Sequence, residues 1–208
     1  ARRIADVVSS APKDDLVICL ISGGASALLS LPATGITLKE KQDINQALLR
    51  SGAPIDQMNT VRKSLSAIKG GRLAEMAFPA QLVTYLISDV PGDAPSAIGS
   101  GQNISDSSNP EDALAILKPL DIPVSDRLKQ AILQNPTKTS SAPATVHILA
   151  TPMMSLEAAS NKARSLGITP YVLGDAIEGE AREAGRILGG IVRSILMHDQ
   201  PFTSPCVL

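Results

Sequence analysis

Aromatic side chains are nearly missing from this 208-residue chain: they make up 2% of it, and there is no Trp. That argues against a platform for stacking nucleic-acid bases and leaves the core to Leu, Ile, Val and Ala. An excess of one charge is missing as well. With 19 basic and 20 acidic residues the formal net charge is -1, so neither a polycationic nucleic-acid surface nor an acidic solvating tail is expected. Cysteine is scarce. Cys19 and Cys206 stand far apart, and no CxxC or CxxH spacing suggests zinc. A reduced, cytoplasmic setting is the expectation for such a chain. No apolar run reaches the roughly 18 residues that mark a membrane span, and no signal peptide is read at the start. No membrane partner is expected. The chain begins without Met on "ARRIADVVSS", an amphipathic helical pattern, and stops on "PFTSPCVL", where an apolar strand begins. Those ends lead us to expect a fragment of something longer.

What is present alternates. "LVICLI", residues 16–21, is a short apolar run of the kind expected for a strand buried on both faces. Residues 38–51 have helical character, with Thr37 as N-cap and Gly52 as the stop. In the next helical stretch Val61, Leu65 and Ile68 recur at helical spacing until Gly70-Gly71 interrupts. "QLVTYLISDV" is a second strand. A Gly/Ser/Pro-rich loop follows, and a loop of that length usually has a function or moves. Helices are expected over 110–117 and 125–134, then an exposed linker, "NPTKTSSAPA". "TVHILA" and "TPYVLG" read as further strands, each followed or preceded by a helix. Strands alternating with helices predict an α/β fold with a Rossmann-like, mostly parallel sheet and helices on both faces. A chain of this size can bury roughly 70% of its unfolded surface, so it needs no staple.

Four stretches carry the chemistry. In "ISGGASALL", two glycines flanked by serines follow a strand at once. Ligands bind at the carboxyl ends of strands in open α/β sheets. If "SALLSL" begins a helix, Ser22, Gly23, Gly24 and Ser26 form an anion cradle of backbone amides and hydroxyls; the alternative is an ordinary strand–helix turn. It is neither a Walker A loop nor GxGxxG. The second stretch, "MNTVRKSLSAIKGGRLA", places Asn59, Arg62, Lys63 and Ser66 within about one helical face, with Lys69, a glycine pair and Arg72 beyond. Four cations and no acid lie from Arg62 to Arg72. They form either a solvated face or a polyanion clamp, with the glycine pair bringing amides beside the cations.

The third stretch is "ISDVPGDAPSAIGSG". Asp89 ends a strand and Asp93 follows across a Pro-Gly turn. The two carboxylates suit Mg2+, or Asp89 a proton acceptor; capping of turns is the plainer alternative. Gly99, Ser100 and Gly101 offer a second amide-rich turn. In the fourth, Glu178, Glu180 and Glu183 crowd the start of the last helix, where capping is the default. His147 and His198 have no metal-like partner spacing and read as structural.

"LISGGASALL", "MNTVRKSLSAIKGGRLAE", "LISDVPGDAPSAIGSG" and "LGDAIEGEAREAG", in this order, resemble the ATP-dependent glycerate 2-kinases. That two-domain family also goes under the name of hydroxypyruvate reductases of tartrate degradation. The resemblance covers nearly the whole chain. It implies a phosphotransferase that moves the ATP γ-phosphate to the 2-hydroxyl of D-glycerate with Mg2+. It implies that residues 1–208 are the large α/β domain, lacking an N-terminal segment with a site lysine and a C-terminal small domain that completes the cleft. The partners it implies are D-glycerate, a nucleotide and that missing domain; a homodimer stays open. Carried over by position, Ser22, Gly23, Gly24, Ser26, Gly99, Ser100 and Gly101 look like a phosphate or carboxylate cradle. Asn59, Arg62, Lys63, Lys69 and Arg72 look like anion ligands, with Arg62 and Lys69 catalytic. Asp89 and Asp93 look like the metal or proton-handling acids. Two departures stand out: Ala25 replaces a third glycine, and "QNISDSS" follows "GSG" in place of Pro-Thr and an acidic turn.

Phosphoryl transfer is catalysed mostly by positioning and charge neutralisation, which suits glycine turns, cations and two Asp. A nicotinamide-dependent hydroxypyruvate reductase would need a dinucleotide fingerprint and an acid about 20 residues on; Lys39, Glu40 and Lys41 occupy that neighbourhood. A third reading is a non-catalytic module that senses sugar phosphates with the same cradle. The isolated fragment is expected to turn over little.

Overall fold

Apolar residues in an unbroken run have few ways to hide, and Leu16–Ile21 solves this as a strand, β1, paired in parallel with β2, Gln81–Ile87. A computed structural model of the chain describes residues 1–104, 108–136, 144–177 and 179–208. The register runs from Leu16 opposite Gln81 to Ile21 opposite Leu86, so both strands finish at the same edge. A third strand, β3 (Ala144–Ala150), lies on the other side of β2, giving the order β1-β2-β3. The linker between residues 137 and 143 falls outside the described residues.

The chain divides into two compact units, Ala1–Leu149 and Ala150–Leu208. In the first, helices α1 (Arg2–Ser9) and α5 (Arg72–Ala77) pack on the sheet. Val8, Leu73, Ala74 and Ala77 meet Leu82 there, with Val17 and Cys19 partly buried against them. Burial of β1 on both faces does not hold. Val17 and Cys19 alternate with Leu16, Ile18 and Leu20, which remain exposed, Leu20 by 78%. The physical reason is strand alternation: Val17 and Cys19 face the core that α1 and α5 cover, while Leu16, Ile18 and Leu20 take the other face.

A second core is helical. It joins α3 (Leu38–Ser51), α4 (Ile55–Ser64), α6 (Pro110–Leu117) and α7 (Asp126–Leu133) around Leu48, Val61, Leu117 and Ile132. Each such side chain stabilises by roughly 1.5–3 kcal/mol when fully buried. α3 begins and ends where its sequence dictates. Thr37 accepts from the amide of Glu40 at 3.2 Å, Glu40 accepts from the amide of Thr37 at 2.9 Å, and Gly52 closes the helix at φ 70°. The second unit holds α8 (Pro152–Ser165), α9 (Ala181–His198) and the parallel pair β4 (Thr169–Pro170) and β5 (Cys206–Val207). Only two residues of "TPYVLG" pair as a strand. Among the described residues no helix is long and apolar enough to cross a membrane. The fold class read from the periodicity holds: parallel strands flanked by helices.

Candidate functional site

The turn after β1 and the loop after β2 meet because their strands are parallel neighbours that end together. Ser22, Gly23 and Gly24 are exposed there, and so is Asp89. A β-carbon on Gly23 would lie 2.8 Å from Asp89 Oδ2, so the carboxylate sits directly over the glycine backbone. Gly24 takes φ 82° and caps α2 (Ala25–Leu28). The helix expected from "SALLSL" is thus a single turn. It has little dipole to offer, and any cradle here rests on open backbone and hydroxyls.

The loop after β2 turns at once. The amide of Asp93 donates to the carbonyl of Val90 at 3.1 Å, and Asp93 stands at φ 51° with Oδ1 buried and without a hydrogen-bond partner among the described residues. Among the described residues no three His, Cys, Asp or Glu cluster as a metal site. Two carboxylates are nevertheless the donor set that suits Mg2+, which keeps several waters and takes the rest of its shell from substrate phosphates.

The second glycine turn is tied to the cationic stretch. A short 3₁₀ helix, Ile98–Ser100, ends at Gly101. Gly70 and Gly71 do not bare their amides to a ligand. They donate to the carbonyls of Ser100 and Gly101, at 3.3 and 2.8 Å, and Leu73 donates to Gln102 at 3.1 Å. α4 also stops at Ser64, short of the expected face; Ser66 lies beyond it and donates to the carbonyl of Leu31 at 3.2 Å. Gln102 is buried over Gly99, where a β-carbon would lie 2.7 Å from its Oε1. The stretch up to Asp106 continues into residues 105–107, outside the described residues, as does Glu178. Glu180 is the N-cap residue of α9 and Glu183 lies in its first turn. His147 stacks on Tyr85, ring centroids 5.3 Å apart, a packing contact.

Lys69 joins the two turns. It is 1% exposed, and its ammonium donates to the Ser26 carbonyl at 2.9 Å, the Ser26 hydroxyl at 3.0 Å, and the Gly99 carbonyl and Ser100 hydroxyl at 3.2 Å. The two hydroxyls are themselves 2.6 Å apart. Burial, then the charges of Lys41, Arg62 and Lys63, brings the Lys69 pKa down to about 7. Two carbonyls take two protons, so the set accepts either the ammonium or the neutral amine. Arg72 is buried as a strut. Its guanidinium donates to the carbonyls of Lys63, Lys69 and Asn135 at 3.0, 2.8 and 2.8 Å. Lys63 is buried and Asn59 half-buried on α4.

Beside Lys69, between α3 and α4, lies a cavity of about 360 Å³. Lys41, Gln42 and Asn45 line it from α3, Arg62 from α4, and Ser26 and Lys69 close it. Asn45 Oδ1 accepts from Arg62 Nε at 2.7 Å, and burial draws the Arg62 pKa down. Lys41, Gln42 and Asn45 are not singled out by sequence reasoning. Their signal is periodic: positions 41, 42 and 45 fall on one side of a helix that also presents Leu48.

The domain of unknown function DUF4147 matches residues 1–134. A protein of Agrobacterium vitis named "Putative hydroxypyruvate reductase" is 47% identical over 210 residues, covering 100% of this chain and 48% of that protein. The D-glycerate 2-kinase of Thermotoga maritima is 40% identical over 207 residues, covering 100% of this chain and 49% of its own length. The crystal structure of glycerate kinase from Thermotoga maritima superposes with a TM-score of 0.82 at 39% identity, over 99% of this chain and 49% of that one. The chain spans about half the length of the curated relatives it matches. The matched segment contains the Ser22–Gly24 turn, Asp89, Asp93 and every residue lining the α3–α4 cavity, and the chain belongs to the DUF4147 family.

Proposed function

We propose that the protein is a glycerate 2-kinase: it moves the γ-phosphoryl group of ATP to the 2-hydroxyl of D-glycerate, with Mg2+, in the cytoplasm. The observation that carries this reading is the meeting of Asp89 with the open Gly23 backbone at the shared end of β1 and β2. The turn is exposed, and the side chain nearest Gly23 is Asp89 itself, so a phosphate reaching the turn comes close to the acid that accepts the hydroxyl proton. In the transfer, the glycerate oxygen forms a bond to phosphorus, the bond to the bridging oxygen of ADP breaks, and the proton passes to Asp89. With Asp89 taking the proton, Asp93 would hold Mg2+, which would neutralise charge on the phosphates. Lys69 keeps the two glycine turns in register. The name carried by the Thermotoga maritima relative supports the same substrate.

About half of each relative's length lies beyond the match. We further propose that a C-terminal domain and an N-terminal segment complete the site, and that residues 1–208 alone turn over little.

A second reading, hydroxypyruvate reduction, is favoured by the name of the Agrobacterium vitis relative. One assay of the full-length protein separates them. ADP release that depends on D-glycerate is expected. Oxidation of NADH or NADPH by hydroxypyruvate, with no such ADP, replaces the kinase by the reductase; ligand binding without either replaces both by a sensing module.

A further inference from the structure

The α3–α4 cavity contains an anomaly. Lys41 is 8% exposed, and its Nζ has no hydrogen-bond partner among the described residues. Arg62 uses Nε on Asn45, and its terminal nitrogens make no hydrogen bond to the described residues. Lys69 closes the third side. No Asp or Glu is among the lining residues. Lysine charge without a partner is expensive to bury, and burial together with the charge of Arg72 lowers the Lys41 pKa to about 8. An unpartnered buried ammonium and a half-buried guanidinium facing one cavity are stabilised when an anion arrives to share them.

We infer that this cavity is the subsite for the carboxylate of the small hydroxy acid, with Lys41 and Arg62 as direct ligands. Arg62 presents a planar fork that matches a carboxylate, held in position by Asn45; Lys41 supplies a point charge beside it. Leu48 and Leu65 line the same cavity and suit the carbon skeleton of such an acid. A volume of about 360 Å³ is near the lower end of ligand sites, roughly 300–1,000 Å³, and suits a three-carbon acid with a few waters. Ser26 lines this cavity from α2, which follows directly on the turn after β1, so an acid anchored here extends toward the strand ends. The identity of the acid rests on the kinase reading; the anion preference rests on the cavity itself.

The test is calorimetric titration of the full-length protein with D-glycerate, with inorganic phosphate, and with a non-hydrolysable ATP analogue plus Mg2+. Lys41→Met is expected to weaken D-glycerate at least about tenfold, as befits a lost charge-assisted bond, and to leave the ATP analogue within about twofold. Lys41→Arg is expected to restore most of the affinity. Should Lys41→Met fail to fold, Lys41→Gln carries the same expectation. Unchanged D-glycerate affinity in the folded variant overturns the subsite, and if glycerate-dependent ADP release persists the kinase reading survives it. Equal losses for D-glycerate and the ATP analogue overturn it too. A wild type that binds phosphate but no hydroxy acid overturns both the subsite and the kinase reading.

Discussion

Asp89 stands over Gly23: the space a β-carbon would take at Gly23 begins 2.8 Å from the Asp89 carboxylate. The obstructing atom is the end of a short side chain at the surface, so it can swing aside at little cost in stability. Gly23→Ala is therefore expected to leave the unfolding free energy within about 0.5 kcal/mol of wild type. Displacing the acid is expected to lower kcat for glycerate-dependent ADP formation at least about tenfold, or ~1.4 kcal/mol of barrier. Urea denaturation and steady-state kinetics on the same variant check the two halves. Normal kcat in Gly23→Ala removes Asp89 from the transfer step.

The two buried lysines of the cavity predict a pH signature. The Lys41 pKa is about 8 in the folded protein against an ordinary 10.5. Between these values the unfolded chain binds more protons than the folded one, so this lysine makes stability rise with pH across that window. Below about 8 it is charged in both states, and the full penalty of burying the charge is present. Lys41→Met is then expected to stabilise the protein at pH 7 by on the order of 2 kcal/mol. The difference from wild type should fade from pH 8 upward and vanish above about 10.5. Urea denaturation of both proteins from pH 7 to 11 checks this; a gain independent of pH would assign it to packing instead.

Lys69→Met leaves the Ser26 and Gly99 carbonyls without the donor that reaches both. The loss of a pinned, buried donor is expected to destabilise the protein by about 2–4 kcal/mol, although a lysine with a depressed pKa is being removed. Hydrogen exchange should speed up in both glycine turns together. Faster exchange in one turn only contradicts the view that this side chain holds the pair.

Arg72→Lys tests the strut. Three carbonyls on separate segments are met by one rigid fork, which an ammonium on a flexible stem cannot span. A loss of about 1.5–3 kcal/mol in stability is expected. D-glycerate affinity should change far less than in Lys41→Met. The reverse ranking in a calorimetric comparison would return Arg72 to the ligands.

Much of the local structure was legible. Thr37 and Gly52 mark the ends of α3 because caps are local hydrogen-bonding devices. α6 spans the 110–117 range that its sequence predicts, and the structure adds Asn109 as its cap with Asp112 at the third helical position. The open turn at Gly23-Gly24 follows an apolar strand, as its residues require. Other readings failed where a distant partner decides the matter. The Gly70-Gly71 amides look available in sequence, yet they belong to the carbonyls of Ser100 and Gly101, some thirty positions on. Arg72 reads as an anion ligand by its neighbours and is surrounded by main-chain oxygens instead.

Composition and periodicity by themselves determined the class of this chain, the limits of α3 and α6 and the glycine turns at the strand ends, because all of these depend on neighbours within about one turn or one strand. Only the tertiary structure brought Lys41 to the cavity that Arg62 and Lys69 line, and Asp89 to Gly23. Those meetings depend on the packing of α3 against α4 and on the parallel register of β1 with β2. Such long-range choices are made by shape and burial across the whole core, and no short stretch of residues contains them.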